Sequence, residues 1–196
     1  LKADNTMRRL HHDILPGRTL FMMFFNPSLR TRNSFEAGIY QLGGHGHFLE
    51  PSSTRLPALE GEEVAYKTER ISDVARVLSR MGDAIAIRIL GDVVGWEYEK
   101  GLRIIEEFAK WSSVPVINME DNIYHPCQGM ADAMTLRELF GRDLRGRKIA
   151  VSWTYSPSTK KPIAPHHDFM YAASYFGPEI VFAHPCRNGD IHCSRG

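Results

Sequence analysis

The chain has 196 residues, of which 43% are hydrophobic and 24% are charged, and its formal net charge is +1. These values are typical of a globular protein and exclude the basic excess by which proteins bind nucleic acid. The sequence has no apolar run long enough to span a bilayer and no N-terminal signal pattern, so no membrane partner is expected. Three cysteines do not make a disulfide framework, which predicts a reducing, cytoplasmic location.

The first predicted elements are a strand, a turn and a helix. Residues 18–25 form an almost continuous apolar run, which is typical of a strand covered on both faces of a parallel sheet. Residues 26–28 carry turn and cap chemistry, and apolar residues then recur on one helix face between 35 and 42. The glycine pair at 43–44 predicts the end of this helix. Its first turn then contains residues 28–32.

Further strands and helices alternate along the rest of the chain. A loop rich in Pro, Ser, Gly and Glu covers residues 51–67, and structureless loops of that size are usually functional or mobile. The predicted strands cover residues 45–50, 84–90, 114–119, 148–155 and 180–183. The predicted helices cover residues 71–78, 96–111, 127–140 and 166–175. This alternation predicts an α/β fold in which helices flank a parallel sheet.

The same pattern predicts two domains. Four strand–helix units precede a turn at residues 143–147, and a single strand–helix–strand unit follows it. One such unit is too small to form a domain of its own. We therefore predict a first α/β domain over residues 1–140 and the incomplete beginning of a second α/β domain over residues 141–196.

The first turn of the first helix carries groups that bind an anion. Free backbone N–H groups and the positive end of the helix dipole favour negative charge at this position. Ser28 and Thr31 add hydroxyl donors, and Arg30 and Arg32 add charge-assisted donors that can bind an anion through two N–H groups. The alternative, a capped helix with two solvated arginines, fits these residues equally well.

Two further segments place polar groups after strands, where open α/β sheets bind ligands. Arg88 lies near the end of its predicted strand, although an arginine that snorkels from a sheet edge fits equally well. His125-Pro126-Cys127-Gln128 opens a helix, and its imidazole can polarise a carbonyl or move a proton. The Gln128 amide suits a group with both NH₂ and C=O, whereas a purely structural histidine is the alternative. Cys127 is a poor candidate nucleophile, because adjacency in sequence is not the geometry of a Cys–His pair.

The C-terminal region contains residue types that bind soft metals. They are His184, Cys186, His192 and Cys193. Their spacing matches no zinc-binding pattern, so we interpret this region as an atypical or frayed tail.

Several segments, in this order along the chain, resemble one known family. They are Ser28-Leu29-Arg30-Thr31-Arg32 with Ser34-Phe35-Glu36, residues 71–80, His125-Pro126-Cys127-Gln128 with residues 130–133, and residues 136–141 with 144–148. Together they resemble the aspartate/ornithine carbamoyltransferase family. The His-Pro-Cys-Gln motif and residues 152–157 further resemble the branch that acts on N-acetylornithine or N-succinylornithine.

The resemblance implies a role for each matching residue. Those implied for the phosphate of carbamoyl phosphate are Ser28, Arg30, Thr31 and Arg32. Those implied for its carbamoyl end are Arg88, His125 and Gln128. Glu120 resembles a residue near the amino-acid substrate. We expect catalytic roles for Arg30, Thr31, Arg88 and His125, and substrate-binding roles for Ser28, Leu29, Arg32, Gln128 and Glu120.

The resemblance also implies a reaction and an assembly. An uncharged amine of ornithine or an N-acylated ornithine attacks the carbonyl carbon of carbamoyl phosphate, and phosphate leaves, as in arginine biosynthesis. This chemistry needs no metal and no cofactor. The family places its active site at a subunit interface, so we expect a homotrimer.

The chain departs from the family pattern at two places. Residues 51–67 contain no tryptophan where the acetylornithine branch has one, and Arg55 or Lys67 are alternative sources of a positive group. The second-domain His-Cys-Leu-Pro segment has no counterpart, so a non-catalytic phosphate-binding module is the second hypothesis. A generic nucleotide binder is disfavoured, because no Gly-x-Gly-x-x-Gly motif opens a helix. The identity of the amine substrate stays open.

Overall fold

The computed structural model describes residues 11–50, 54–152, 162–185 and 191–195. The chain divides into two compact units, Leu1–Asp121 and Asn122–Gly196. Among the described residues, no helix is both long and apolar enough to cross a membrane.

Among its described residues, the first unit contains two parallel sheets and three α-helices. Its strands are β1 (Thr19–Phe24), β2 (His45–Leu49), β3 (Leu56–Ala58), β4 (Thr68–Arg70), β5 (Ala84–Arg88) and β6 (Val116–Glu120). Its helices are α1 (Arg30–Gln41), α2 (Ile71–Met81) and α3 (Lys100–Trp111), with a short 3-10 helix at Gly91–Val94. The larger sheet has the strand order β2-β1-β5-β6, and all of its neighbours are parallel. The predicted parallel α/β fold is therefore confirmed.

Both faces of this larger sheet are apolar, as the continuous hydrophobic run of β1 predicts. Alternate residues of β1 point to opposite faces, so Phe21 and Met23 enter one core and Leu20 and Met22 enter the other. Helices α2 and α3 supply side chains to the first core, and Ile39 of α1 enters the second. The sheet is thus the middle layer of the unit.

The end of α1 requires glycine. Gly43 has a φ of 94°, a left-handed conformation that glycine adopts without steric cost. A Cβ at this position would also overlap the carbonyl of His12. The predicted helix stop is confirmed.

The part of the second unit that the structure describes holds a three-stranded sheet and two helices. Its elements are α4 (Pro126–Phe140), β7 (Lys148–Ser152), α5 (Ala164–Ser174), β8 (Glu179–Pro185) and β9 (Ile191–Arg195). Strands β7 and β8 are parallel, and β9 joins β8 antiparallel. The buried core of this unit contains Leu136 of α4, Ala173 of α5, and Leu144 from the turn between α4 and β7.

Three predictions about elements are wrong. The segment predicted as a structureless loop contains β3, which pairs in parallel with β4, while residues 51–53 lie outside the described residues. Helix α3 starts at Lys100 rather than at Trp96, because Trp96 and Glu99 have φ values of 57° and 61°. The residues interpreted as a frayed tail include β9, which forms ladder hydrogen bonds with β8.

Candidate functional site

The strand order creates a crevice between β1 and β5. The chain leaves β1 through α1 toward β2 and leaves β5 through α3 toward β6, so the two connections run to opposite sides. Open parallel sheets bind ligands at such a point, outside the carboxyl ends of the strands. The Asn26 amide bridges it, because its Nδ2 donates to the Leu90 carbonyl at 3.0 Å and its Oδ1 accepts the Leu90 N–H at 2.9 Å. The loop after β1 is therefore fastened to the loop after β5.

The N-terminal end of α1 follows this fastened loop. The helix begins at Arg30, after Leu29, and none of the described side chains caps it. The prediction that residues 26–28 cap the helix is wrong, because the Asn26 amide is bonded to Leu90 instead. N–H groups in a first helical turn have no acceptor within their own helix, and the helix dipole is positive there. The geometry therefore suits an anion.

Arg32 lines a cavity of about 600 Å³ beside this loop. The other lining residues are Phe24, Phe25, Asn26, Pro27, Ser28, Leu29, Phe48 and Glu50. The guanidinium carbon of Arg32 lies 3.8 Å from the centre of the Phe48 ring. The Nε of Arg32 lies 3.7 Å from Oε2 of Glu36. The ring of β2 thus holds the arginine against the cavity wall through a cation–π contact.

Arg88 and Glu120 form a buried ion pair at the carboxyl ends of β5 and β6. Their side chains are only 14% and 5% exposed, and Nη1 of Arg88 contacts Oε2 of Glu120. The two residues are register partners because the ladder shifts between Ile87 and Arg88, so that one residue of β6 is skipped. The Nε of Arg88 is buried and has no hydrogen-bond partner among the residues that the structure describes. A ligand oxygen at this position would satisfy that donor.

Arg30 adds a second positive charge at the same end of the sheet. Burial lowers the pKa of the Arg88 guanidinium, and the charge of Arg30 lowers it further. Thr31 is buried in the first turn of α1, whereas Arg30 is exposed. An anion placed between two cationic side chains relieves their repulsion. The structure therefore groups the residue 28–32 loop, Arg88 and Glu120 at one end of the sheet.

His125 precedes α4 in the second unit and acts as its N-cap. Its Nδ1 accepts the backbone N–H of Gln128 at 3.3 Å. An acceptor nitrogen carries no proton, so the neutral ring has its proton on Nε2 and can donate it to a carbonyl oxygen. Gln128 Nε2 donates to Oδ1 of Asp132 at 2.9 Å, which fixes the amide on the first turn of the helix.

Asp168 of α5 contacts this same segment. Its Oδ2 accepts the backbone N–H of His125. Burial raises the pKa of the Cys127 thiol, and the Asp168 carboxylate raises it further. Because the thiolate is the nucleophilic form, these effects agree with the interpretation that Cys127 is not a nucleophile.

Sequence reasoning does not identify Asn26 or Asp168 as site residues. Asn26 has one usable signal, since it directly follows a buried strand at the edge where ligands bind. Asp168 has none, because its partner lies 43 residues earlier in the chain.

The residues predicted from the sequence fall in both compact units. Ser28, Leu29, Arg30, Thr31, Arg32, Arg88 and Glu120 belong to the first, and His125 and Gln128 belong to the second. Among the described residues, no group of three or more His, Cys, Asp or Glu side chains could hold a metal ion. The side chains of His184, Cys186, His192 and Cys193 lie outside the described set.

Comparison with known proteins agrees with this geometry. Residues 1–138 match the model of the carbamoyl-P binding domain of aspartate/ornithine carbamoyltransferases. The chain is 44% identical over 181 residues to an N-acetylornithine carbamoyltransferase of Xanthomonas axonopodis pv. citri, covering 87% of this chain and 50% of that protein. It is 35% identical over 213 residues to an ornithine carbamoyltransferase of Syntrophotalea carbinolica, covering 63% of that protein. The chain thus spans about half the length of the first of these relatives.

Solved structures show the same similarity. An acetylornithine transcarbamylase complexed with acetylcitrulline matches with a TM-score of 0.79 at 38% identity, over 91% of this chain and 54% of that one. A variant of N-acetyl-L-ornithine transcarbamylase complexed with carbamyl phosphate and N-succinyl-L-norvaline matches with a TM-score of 0.79 at 37% identity. The strand order, the loop before α1 and the matched domain lead to one conclusion: this chain belongs to the aspartate/ornithine carbamoyltransferase family.

Proposed function

We propose that the chain is the carbamoyl-phosphate-binding part of a carbamoyltransferase that transfers the carbamoyl group to the amine of ornithine or an N-acylated ornithine. The observation that carries this proposal is the position of two arginines, Arg30 at the start of α1 and Arg88 at the end of β5, at the topological switch point of a parallel sheet. An uncapped helix N terminus lies beside them. Such a site suits a phosphate that carries a second polar group.

Different residues bind the phosphate and the carbamoyl end of carbamoyl phosphate. The phosphate is bound by Ser28 and Leu29 of the loop before α1 and by Arg30, Thr31 and Arg32 of its first turn. The family resemblance assigns the carbamoyl end to Arg88, whose Nε lacks a partner among the described residues, and to His125, whose Nε2–H can donate. The Gln128 amide binds the carbamoyl NH₂.

The reaction then proceeds by positioning and charge stabilisation. The uncharged amine attacks the carbonyl carbon, the C–O bond to phosphate breaks, and the electron pair leaves with the phosphate, which takes up the proton that the amine loses. Negative charge develops on the carbamoyl oxygen and on the leaving phosphate, where the donors named above lie. Glu120 lies near the amino-acid substrate in this scheme, and the similarity to acetylornithine enzymes favours an N-acylated amine.

Binding of two stable analogues tests the site. Phosphonoacetamide replaces the bridging oxygen of carbamoyl phosphate by CH₂, and methylphosphonate lacks the amide. Calorimetry should show tighter binding of phosphonoacetamide, and Arg30→Ala should weaken both ligands by about tenfold or more, as loss of a charge-assisted donor does. Arg103→Ala is the matched control, since this exposed arginine pairs with Glu97 on the surface and should leave both affinities unchanged.

The outcomes separate the hypotheses. Equal affinity for the two analogues favours a phosphate-binding module without the carbamoyl contacts, and absence of binding refutes the anion site. In the full-length protein, Arg30→Ala or His125→Ala should lower kcat on the order of a hundredfold. Turnover close to wild type in both variants contradicts the assignment.

The family resemblance supports three further parts of the proposal. Residues 1–140 form the carbamoyl-phosphate domain, and residues 141–196 begin the amino-acid-binding domain. The protein acts in the cytoplasm as a homotrimer, with its active site at the subunit interface. Light scattering on the full-length protein should give three times the chain mass, and a monomeric mass contradicts the trimer.

A further inference from the structure

Helices α4 and α5 meet where the His125 segment begins. The Asp168 carboxylate accepts the backbone N–H of His125, and the Nδ1–H of His167 donates to the Ile123 carbonyl at 3.1 Å. The helices approach closely because residue 129 is glycine. A Cβ there would lie 3.0 Å from the Cβ of Asp168 and 3.1 Å from its carbonyl oxygen. Two consecutive residues of α5 therefore hold the chain on both sides of Tyr124.

The backbone contact determines where the imidazole ring can lie. The His125 ring accepts the Gln128 N–H through Nδ1, so its orientation depends on the geometry between the N-cap residue and the first turn of α4. Pro126 has no N–H and a fixed φ, which leaves little freedom between His125 and the helix. A carboxylate that fixes the N–H of His125 therefore also fixes the direction of its Nε2–H.

We propose that Asp168 is a positioning residue for His125, an inference that rests on the function proposed above. Its carboxylate holds the N-cap residue of α4, so that the Nε2–H of His125 stays directed for donation to the carbamoyl oxygen. The negative charge also lies at the positive end of the α4 dipole, which strengthens the contact. Asp168 does not itself touch the substrate.

The position of Asp168 in the chain adds a consequence. The match to the model of the carbamoyl-P binding domain ends at residue 138, and Asp168 lies beyond it. His125 lies inside the match. A residue from the following segment therefore sets the geometry of a proposed catalytic residue in the matched domain.

The direct test measures His125 itself in the 196-residue chain by NMR. In Asp168→Ala, the amide proton of His125 should move upfield and exchange with solvent about tenfold faster, because a hydrogen bond to a charged acceptor is lost. The ring nitrogens should lose the pure Nε2–H tautomer signal. Asp168→Asn keeps an oxygen acceptor and should retain part of both effects. Asp143→Asn is the control, since this exposed carboxylate bonds within its own turn.

Ligand selectivity provides a readout that general loosening of the fold does not produce. Asp168→Ala should weaken phosphonoacetamide by about tenfold and leave methylphosphonate within about twofold, because only the former has the carbonyl that His125 contacts. An unchanged His125 amide, or equal weakening of both ligands, overturns the positioning role. If the wild-type chain does not distinguish the two ligands, the proposed function fails, and the amide and ring signals alone decide the role of Asp168.

Discussion

The buried pair of Arg88 and Glu120 leads to a quantitative prediction about stability. Both side chains are largely removed from water, so neither charge can be hydrated if its partner is lost. Removing one member of a buried pair typically costs about 3–5 kcal/mol, whereas replacing both by apolar residues is close to neutral or stabilising. We therefore expect Arg88→Met and Glu120→Leu to lower the free energy of unfolding by about 3 kcal/mol each, and the double variant to lose less than about 1 kcal/mol.

Urea unfolding followed by tryptophan fluorescence measures this cycle in the first unit. Trp96 and Trp111 belong to that unit, and Trp111 packs against its core. Trp153→Phe should be introduced in every variant, so that Trp96 and Trp111 are the only tryptophans that contribute to the signal. Single variants that cost less than about 1 kcal/mol each, with additive effects in the double variant, would refute the ion-pair geometry.

Three further predictions concern other contacts. Asn26→Ala should lower the free energy of unfolding by about 2–3 kcal/mol, because the N–H and C=O of buried Leu90 lose their partners. Asn26→Asp should cost less, since an acceptor for the Leu90 N–H remains, and chemical denaturation measures both variants. Cys127 should react with iodoacetamide more slowly than a free thiol at pH 8, and Asp168→Asn should speed the reaction, as peptide mass spectrometry can quantify. The pKa of Asp143 is lowered from 3.8 to about 2, so its carboxylate stabilises the fold above pH 3.8. The difference in Tm between wild type and Asp143→Asn should therefore vanish as the pH falls through about 2.

The sequence predicts the strands of the larger sheet well, because their signal is local. An apolar run such as Phe-Met-Met-Phe-Phe leaves few alternatives to a strand covered on both faces. Helices with a clear apolar face, such as α2, are found for the same reason. The three-residue strands β3 and β4 are missed, because they are too short to show an alternation of polar and apolar residues.

The helix starts and the site contacts are harder to predict, since they depend on distant partners. Asn26 has a residue type that caps helices, yet its amide pairs with Leu90, 64 residues away. Glu120 faces Arg88 only because one residue of β6 is skipped in the ladder, and no sequence pattern marks that bulge. The residue types of the residue 28–32 loop are readable from the sequence, but their geometry depends on which strands become neighbours.

The Asn26 bridge has a consequence for the rate of ligand binding. A side-chain amide that bonds both the N–H and the C=O of Leu90 acts as one more rung of the β1–β5 ladder, although the main chain has already turned away. The loop before α1 is therefore ordered before any ligand arrives, and no closing step is needed there. Phosphate should associate with this loop at a rate that is limited by diffusion and electrostatic attraction. Ionic strength, rather than a motion of the loop, should therefore control the association rate.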